Sequence, residues 1–310
     1  MTTHTTRLAP SPTGALHLGN ARTFLVNWAM ARQNSWRVLL RIEDLDTPRL
    51  KPGAIDQTRE ILSWLGIDWD EEMPLQSSEA HHCVDAMRSL ADIGIVYPCL
   101  RTRTDIQRAL SAPNAGEGEA AFPPELRASI ACRPFDRPAS NWRFVCPHDE
   151  VDFMDVFAGP QRVRPADDVG DFVVWTRRAS PSYQLAVVVD DARHGVTQVV
   201  RGADLIPSTG RQLLLYRALK LKNEPEYTHL PLVRGGDGRR LAKRHGDTRI
   251  VEYRDRGVAA ERIIALIARW SGVGGVEAIS AAEFAQHVRL DRMPRGDVTF
   301  SPEDDRWLLD

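Results

Sequence analysis

The stretch from Arg7 to Asn20, RLAPSPTGALHLGN, constrains this chain more than any other part of it. It reads as a short strand, a tight turn punctuated by proline and glycine, and the start of a helix. Pro10 and Pro12 each fix one φ and remove one N–H donor. Gly14 and Gly19 allow the backbone to approach a ligand closely. Residues 21–32 continue with mostly apolar, helix-compatible side chains. A strand, a turn of small residues and a helix N-terminus make an anion site, because free N–H groups and the helix dipole converge on the turn. His17 and Asn20 add side-chain donors at that spot. On this chemistry alone two readings stand, a nucleotide phosphate site and an ordinary strand–loop–helix corner.

The segments that follow fit a doubly wound α/β sheet. Residues 36–42, WRVLLRI, read as a buried parallel strand and complete a βαβ unit. The acidic residues after it, Glu43 among them, fall beyond the strand's C-terminal end, where such sheets hold ligands. Helical spacing covers residues 52–65 and 80–94. From Trp142 the pattern turns to strands, at 142–145, 151–157 and 172–175. In residues 182–191, SYQLAVVVDD, the apolar run 185–189 reads as another buried strand. Asp190 and Asp191 would then end that strand, as a metal or ribose site or as a plain terminus. A strand at 195–201, a helix at 209–221, a last sheet strand at 227–233 and an amphipathic helix at 258–271 complete the pattern.

The net charge of −2 excludes a global basic field, so any nucleic-acid contact needs a local basic patch. Arg162, Arg164, Arg177 and Arg178 are candidates for one, and are equally readable as scattered solvated arginines. Cys83, Cys99, Cys132 and Cys146 are too scattered for a disulfide framework. The first residues lack the apolar core of a signal peptide, and no apolar run is long enough to span a bilayer. The expectation is a cytoplasmic, monomeric protein with no membrane association.

His17-Leu18-Gly19-Asn20 resembles the HIGH signature of class I aminoacyl-tRNA synthetases, and the whole block from Pro10 to Asn20 resembles their glutamyl and glutaminyl branch. Arg240 to Arg244, RLAKR, resembles the KMSKS loop, with Ala242 in place of the usual serine and Arg240 in place of the first lysine. Together with the chain's length, which leaves no room for a large anticodon-binding domain, the resemblance narrows to the glutamyl-Q tRNA(Asp) synthetase family. It implies an α/β fold: a Rossmann-like doubly wound parallel sheet, an inserted α+β subdomain similar to an acceptor-binding domain, and a short helical C-terminal part. The implied divisions are 1–96 and 176–250 for the two halves of the catalytic domain, 97–175 for the insertion and 251–310 for the C-terminal segment.

The same resemblance implies activation of L-glutamate with ATP and Mg²⁺, then transfer to the queuosine base in the anticodon of tRNA(Asp). It implies catalytic roles for His17, Asn20 and Lys243, ATP contacts from His17, Gly19, Asn20 and Lys243, and a glutamate pocket from Arg7, Leu8, Ala9, Pro10, Ser11, Glu43, Tyr183 and Arg201. Arginine suits a side-chain carboxylate, because its planar fork can bond both oxygens. Relatives carry zinc on a Cys-x-Cys pair, a tyrosine and a later cysteine. Here Cys99 and Cys132 remain, but Arg101 and Ala128 replace the other two. Two ligands do not make a structural zinc site, so no zinc is expected, and residues 113–124 read as a flexible loop in its place. The alternatives are a compact glutamyl-tRNA synthetase charging tRNA(Glu), a catalytically idle tRNA- or nucleotide-binding paralogue, and a nucleotidyltransferase with another acceptor.

Overall fold

The computed structural model describes residues 4–101, 105, 121–238, 241 and 248–310. Its centre is a seven-stranded sheet. The strands are β1 (Thr5–Leu8), β2 (Arg37–Leu40), β3 (Glu71–Glu72), β6 (Val151–Asp155), β7 (Gly159–Val163), β9 (Gln198–Gly202) and β10 (Glu226–Leu230), in the order β3-β2-β1-β9-β10-β6-β7. Every pairing is parallel except the β6–β7 hairpin. The order runs outward in both directions from β1 and β9, which makes the gap beyond their C-terminal ends the expected ligand crevice.

Helix α1 (Leu18–Gln33) follows β1 and is buried on most of its faces, Arg22 and Asn27 included. A helix of that kind must be covered on both sides. One side meets the sheet, where Asn27 donates to the Arg7 carbonyl at 3.0 Å. The other side meets the C-terminal helices α7 (Ala260–Trp270) and α8 (Ala281–His287), which share its apolar core. Buried Arg22 ties these parts together by donating to the carbonyls of Pro231 and Trp270. The strands β4 (Val96–Cys99), β5 (Asn141–Phe144) and β8 (Phe172–Trp175) form a separate antiparallel sheet within the insertion. The β6–β7 hairpin, although encoded between β5 and β8, extends the main sheet through the Tyr227–Asp155 pairing.

The run 182–191 is not a strand. It is helix α4 (Tyr183–Arg193). Leu185, Ala186, Val188 and Val189 pack against the inserted sheet and α3 (Ala80–Asp92), while Gln184, Asp190 and Asp191 are buried against polar partners. With apolar partners along one side and buried polar ones along the other, no solvent-facing stripe survives to betray the helical period. Asp190 and Asp191 are accordingly not a strand terminus. Gln76 donates to Asp190 at 2.8 Å. Asp191 accepts from Arg7 Nε at 3.3 Å and from Arg41 Nη1. Arg41 also donates to Glu43 at 2.9 Å.

Asp191 therefore neutralises two guanidiniums that are almost wholly buried, one from β1 and one just past β2. Burial opposes its ionisation, but Arg41 and Arg7 hold its carboxyl below the ordinary carboxylate range. None of the described helices is long and apolar enough to cross a membrane. Asp191→Asn would leave two buried cations short of a counter-charge, and is expected to lower the unfolding free energy by about 3–5 kcal/mol. Denaturant titration followed by far-UV circular dichroism checks this. A loss below about 1 kcal/mol would mean that the arginines find other partners.

Candidate active site

The α1 N-terminus opens into a cavity at the C-terminal ends of β1 and β9, lined among others by Arg7, His17, Asn20, Glu43, Tyr183 and Arg201. His17 is the N-cap of α1, and its Nδ1 accepts from the Asn20 N–H at 3.4 Å. In the neutral ring the proton then sits on Nε2. The first turn of α1 carries no acidic residue, so the helix dipole is not offset there. Gly202 must be bare: a Cβ on it would lie 2.7 Å from Asp204 Oδ1 and 2.9 Å from Leu232 Cδ2.

The cavity holds charge of both signs. Arg201 is buried, with its Nε donating to His229 Nε2 at 3.0 Å and its Nη2 to Thr209 Oγ1 at 2.8 Å. Its Nη1 is buried without a partner among the described residues. An unsatisfied guanidinium nitrogen is costly, and a carboxylate is the group that best satisfies it. Glu43 stands in the same cavity, its N–H held by the Pro10 carbonyl at 3.0 Å. Burial pushes its carboxyl above the ordinary range against the pull of Arg41 and Arg7. A cation arriving beside it would favour the ionised form. The Tyr183 phenol is pushed upward by burial and by Glu43, so it remains a donor.

Most of the residues expected from the sequence converge here: Arg7, Ala9, His17, Gly19, Asn20, Glu43, Tyr183 and Arg201 border one cavity. Arg7 does so with its Nε already engaged by Asp191. Leu8 does not border it, since its side chain is fully buried in the core and its carbonyl accepts from the Arg41 N–H at 2.9 Å. Pro10 serves through its carbonyl bond to Glu43 rather than at the cavity wall. Ser11 lies on the neighbouring cavity. Arg240, Ala242, Lys243 and Arg244 lie outside the described residues. The flanks of that stretch are anchored beside α1: the Leu241 N–H donates to Val233 O at 3.1 Å, and the Thr248 carbonyl accepts from the Leu18 N–H at 3.1 Å. Thr209, His229 and Asp155 were not expected in the site. Nothing in their spacing marks them, because strand and helix pairing alone bring them to Arg201.

The neighbouring, larger cavity shares Glu43 and Tyr183 with the first, and Arg49, Arg101, Arg143, Arg177 and Arg178 border it. Five arginines make it the most basic of the cavities described, with Asp46 at its wall pairing Arg178 at 3.0 Å and Arg49 at 3.4 Å. Arg162 and Arg164 are not part of it. They sit at the hairpin, paired with Glu150, with Arg162 also on Asp152. The described residues around Cys99 do not assemble the zinc pattern of the sequence, and the one described group of three potential ligands, Glu79, His81 and His82, lies elsewhere. Cys99 is packed with Tyr97 and Phe122, and no described cysteine belongs to a cluster of three potential ligands. What organises this region is Asp171, which accepts from Tyr97 Oη at 2.6 Å, from Arg127 at 2.6 and 2.7 Å, and from the Cys146 N–H at 2.9 Å.

Comparison with known proteins places this geometry. A family model described as tRNA synthetases class I (E and Q), catalytic domain, matches residues 4–304. A glutamyl-Q tRNA(Asp) synthetase of Rhodopirellula baltica is 46% identical, with 86% of this chain and 84% of the relative covered. One of Symbiobacterium thermophilum is 42% identical over 96% of both chains. A glutamate tRNA ligase of Elizabethkingia meningosepticum, solved in complex with its amino acid, superposes with a TM-score of 0.81 at 27% identity, covering 99% of this chain and 69% of the other. With a family match along nearly its full length, the chain belongs to the glutamyl and glutaminyl class I aminoacyl-tRNA synthetases, alongside the glutamyl-Q tRNA(Asp) synthetases.

Proposed function

We propose that this protein activates L-glutamate with ATP, taken as its Mg²⁺ complex, and transfers the glutamyl group to the queuosine base in the anticodon of tRNA(Asp). The observation that carries the reading is the unpartnered Nη1 of Arg201 in a cavity that also presents Glu43 and Tyr183 beside the N-terminus of α1. Arg201 would bond the substrate side-chain carboxylate, Glu43 would face its ammonium, and Tyr183 would close the pocket. The α-carboxylate then points toward α1. One of its oxygens attacks the α-phosphorus in line, forming the acyl–phosphate bond of glutamyl-adenylate as the bond to pyrophosphate breaks. In the second step an acceptor hydroxyl displaces AMP. The tRNA(Asp) acceptor rests on the relatives that match over nearly their full length under that name. The arginine-lined cavity adjoining Glu43 and Tyr183 is where an anionic backbone would enter.

The protein supplies little covalent help to the first step. Positioning and stabilisation of charge on the phosphates carry it. His17 Nε2–H and the positive end of the α1 dipole at Gly19 would act on one side, and Lys243 on the other.

Three outcomes test the assignment. ATP–pyrophosphate exchange with glutamate is expected without any tRNA, and radiolabelled glutamate is expected to attach to queuosine-containing tRNA(Asp). Exchange that requires tRNA, with charging of tRNA(Glu), would instead identify a compact glutamyl-tRNA synthetase. Arg201→Ala is expected to raise the KM for glutamate by about 10–100-fold, the loss of a charge-assisted hydrogen bond, with the KM for ATP little changed. A normal glutamate KM would remove Arg201 from the pocket. His17→Ala and Lys243→Ala are each expected to lower the exchange kcat by about 10²–10³-fold, since each withdraws a donor from the developing charge. Near-normal turnover in either variant would overturn its role.

A further inference from the structure

We infer that Asp155 and His229 form a positioning relay that aims Arg201, so that a carboxylate on the inserted hairpin sets the protein's affinity for its amino acid. The inference rests on the reading of Arg201 as the carboxylate clamp. Asp155 ends β6, and His229 lies in β10 beside it. His229 Nδ1 is 2.6 Å from Asp155 Oδ2, and His229 Nε2 is 3.0 Å from Arg201 Nε. Asp155 and Arg201 each permit one role only, while the Thr209 hydroxyl, 3.2 Å from Nε2, can donate or accept and so suits either. An ionised carboxylate can only accept, so Nδ1 must carry a proton. A guanidinium can only donate, so Nε2 must not. The two partners together force the neutral ring and one tautomer.

The setting supports that state. Burial works against ionisation of Asp155, but the His229 ring N–H and the Ala158 N–H hold its carboxyl below the ordinary range. The carboxylate also accepts from the Phe157 N–H at 3.0 Å and from the His229 N–H at 3.1 Å. Burial lowers the His229 pKa against the pull of Asp155. The far end of the relay is equally fixed: Thr209 takes Arg201 Nη2 at 2.8 Å, which leaves Nη1 as the unpartnered end. His229 and Asp155 do not border the cavity. They act through Arg201 and touch no reacting atom.

The substitution that isolates the relay is Asp155→Asn. An asparagine turned to donate to Nδ1 moves the ring proton to Nε2, where it faces the Arg201 Nε–H donor to donor. Glutamate KM is expected to rise roughly tenfold, the scale of one hydrogen bond to a charged group, with kcat and the KM for ATP unchanged. His229→Gln keeps an acceptor for Arg201 and has no tautomer to invert. In a His229→Gln background the Asp155→Asn change is therefore expected to leave glutamate KM where that background sets it. A glutamate KM that Asp155→Asn does not move, or moves equally in both backgrounds, overturns the relay. Should Asp155→Asn fail to fold, imidazole ¹⁵N shifts of the unmodified protein decide instead. A pyrrole-like Nδ1 and a pyridine-like Nε2 at His229 support the relay, and a protonated Nε2 overturns it. Arg201→Ala keeps the two failures apart: unchanged glutamate KM there sinks the clamp, whereas a raised KM beside an inert Asp155→Asn sinks the relay alone.

Discussion

The Asp191 carboxylate, buried between the Arg7 and Arg41 guanidiniums, is the interaction on which the rest of the structure depends. It joins three elements that are distant in the chain: β1, the end of β2 and helix α4. Without it the sheet's ligand edge would hold two buried cations with too little counter-charge. With it, Arg41 can also hold Glu43, and the ligand cavity presents Glu43 and Asp204 beside Arg7 and Arg201 instead of a single positive field. That balance matters for an amino-acid ligand, which brings an ammonium and two carboxylates into a confined space.

The site divides its work between elements of different kinds. The α1 N-terminus, capped by His17, borders the cavity through Gly19 and Asn20 and turns the positive end of its dipole toward it. The cavity beside it presents the directed charges of Arg201 and Glu43. The arginine-lined cavity beyond belongs partly to the inserted sheet, through Asn141, Arg143 and Val173. The insertion is not merely appended: its β6–β7 hairpin completes the edge of the main sheet, and Asp155 reaches back to His229. Asp171 gives the other side of the insertion its own polar centre.

Much of the candidate site was legible before the fold was known. The block from Arg7 to Asn20 is local: strand end, turn and helix start are all written within a few residues, and the His17 cap follows from them. Glu43, Tyr183 and Arg201 were found through the same resemblance, and the structure brings them to one cavity. Helix α4 was not legible as a helix. Its apolar run has no polar stripe, since both sides are covered, and such a run has the same appearance in a buried strand. Nor could spacing separate Arg177 and Arg178, which border the larger cavity with Arg178 paired to Asp46 there, from Arg162 and Arg164, which are paired with Glu150 and Asp152 away from it.

The sequence by itself determined the βαβ opening, the helix start at His17-Leu18-Gly19-Asn20 and the family, because these depend on short-range geometry and on residue identity at fixed spacing. Only the tertiary structure decided which charges meet. Asp191 with Arg7 and Arg41, Asp155 with His229 and Arg201, and Asp171 with Tyr97 and Arg127 are all long-range pairings. The physical reason is that a buried charge is tolerated only beside its partner, and the chain brings partners together by strand order and helix packing, which no local pattern encodes.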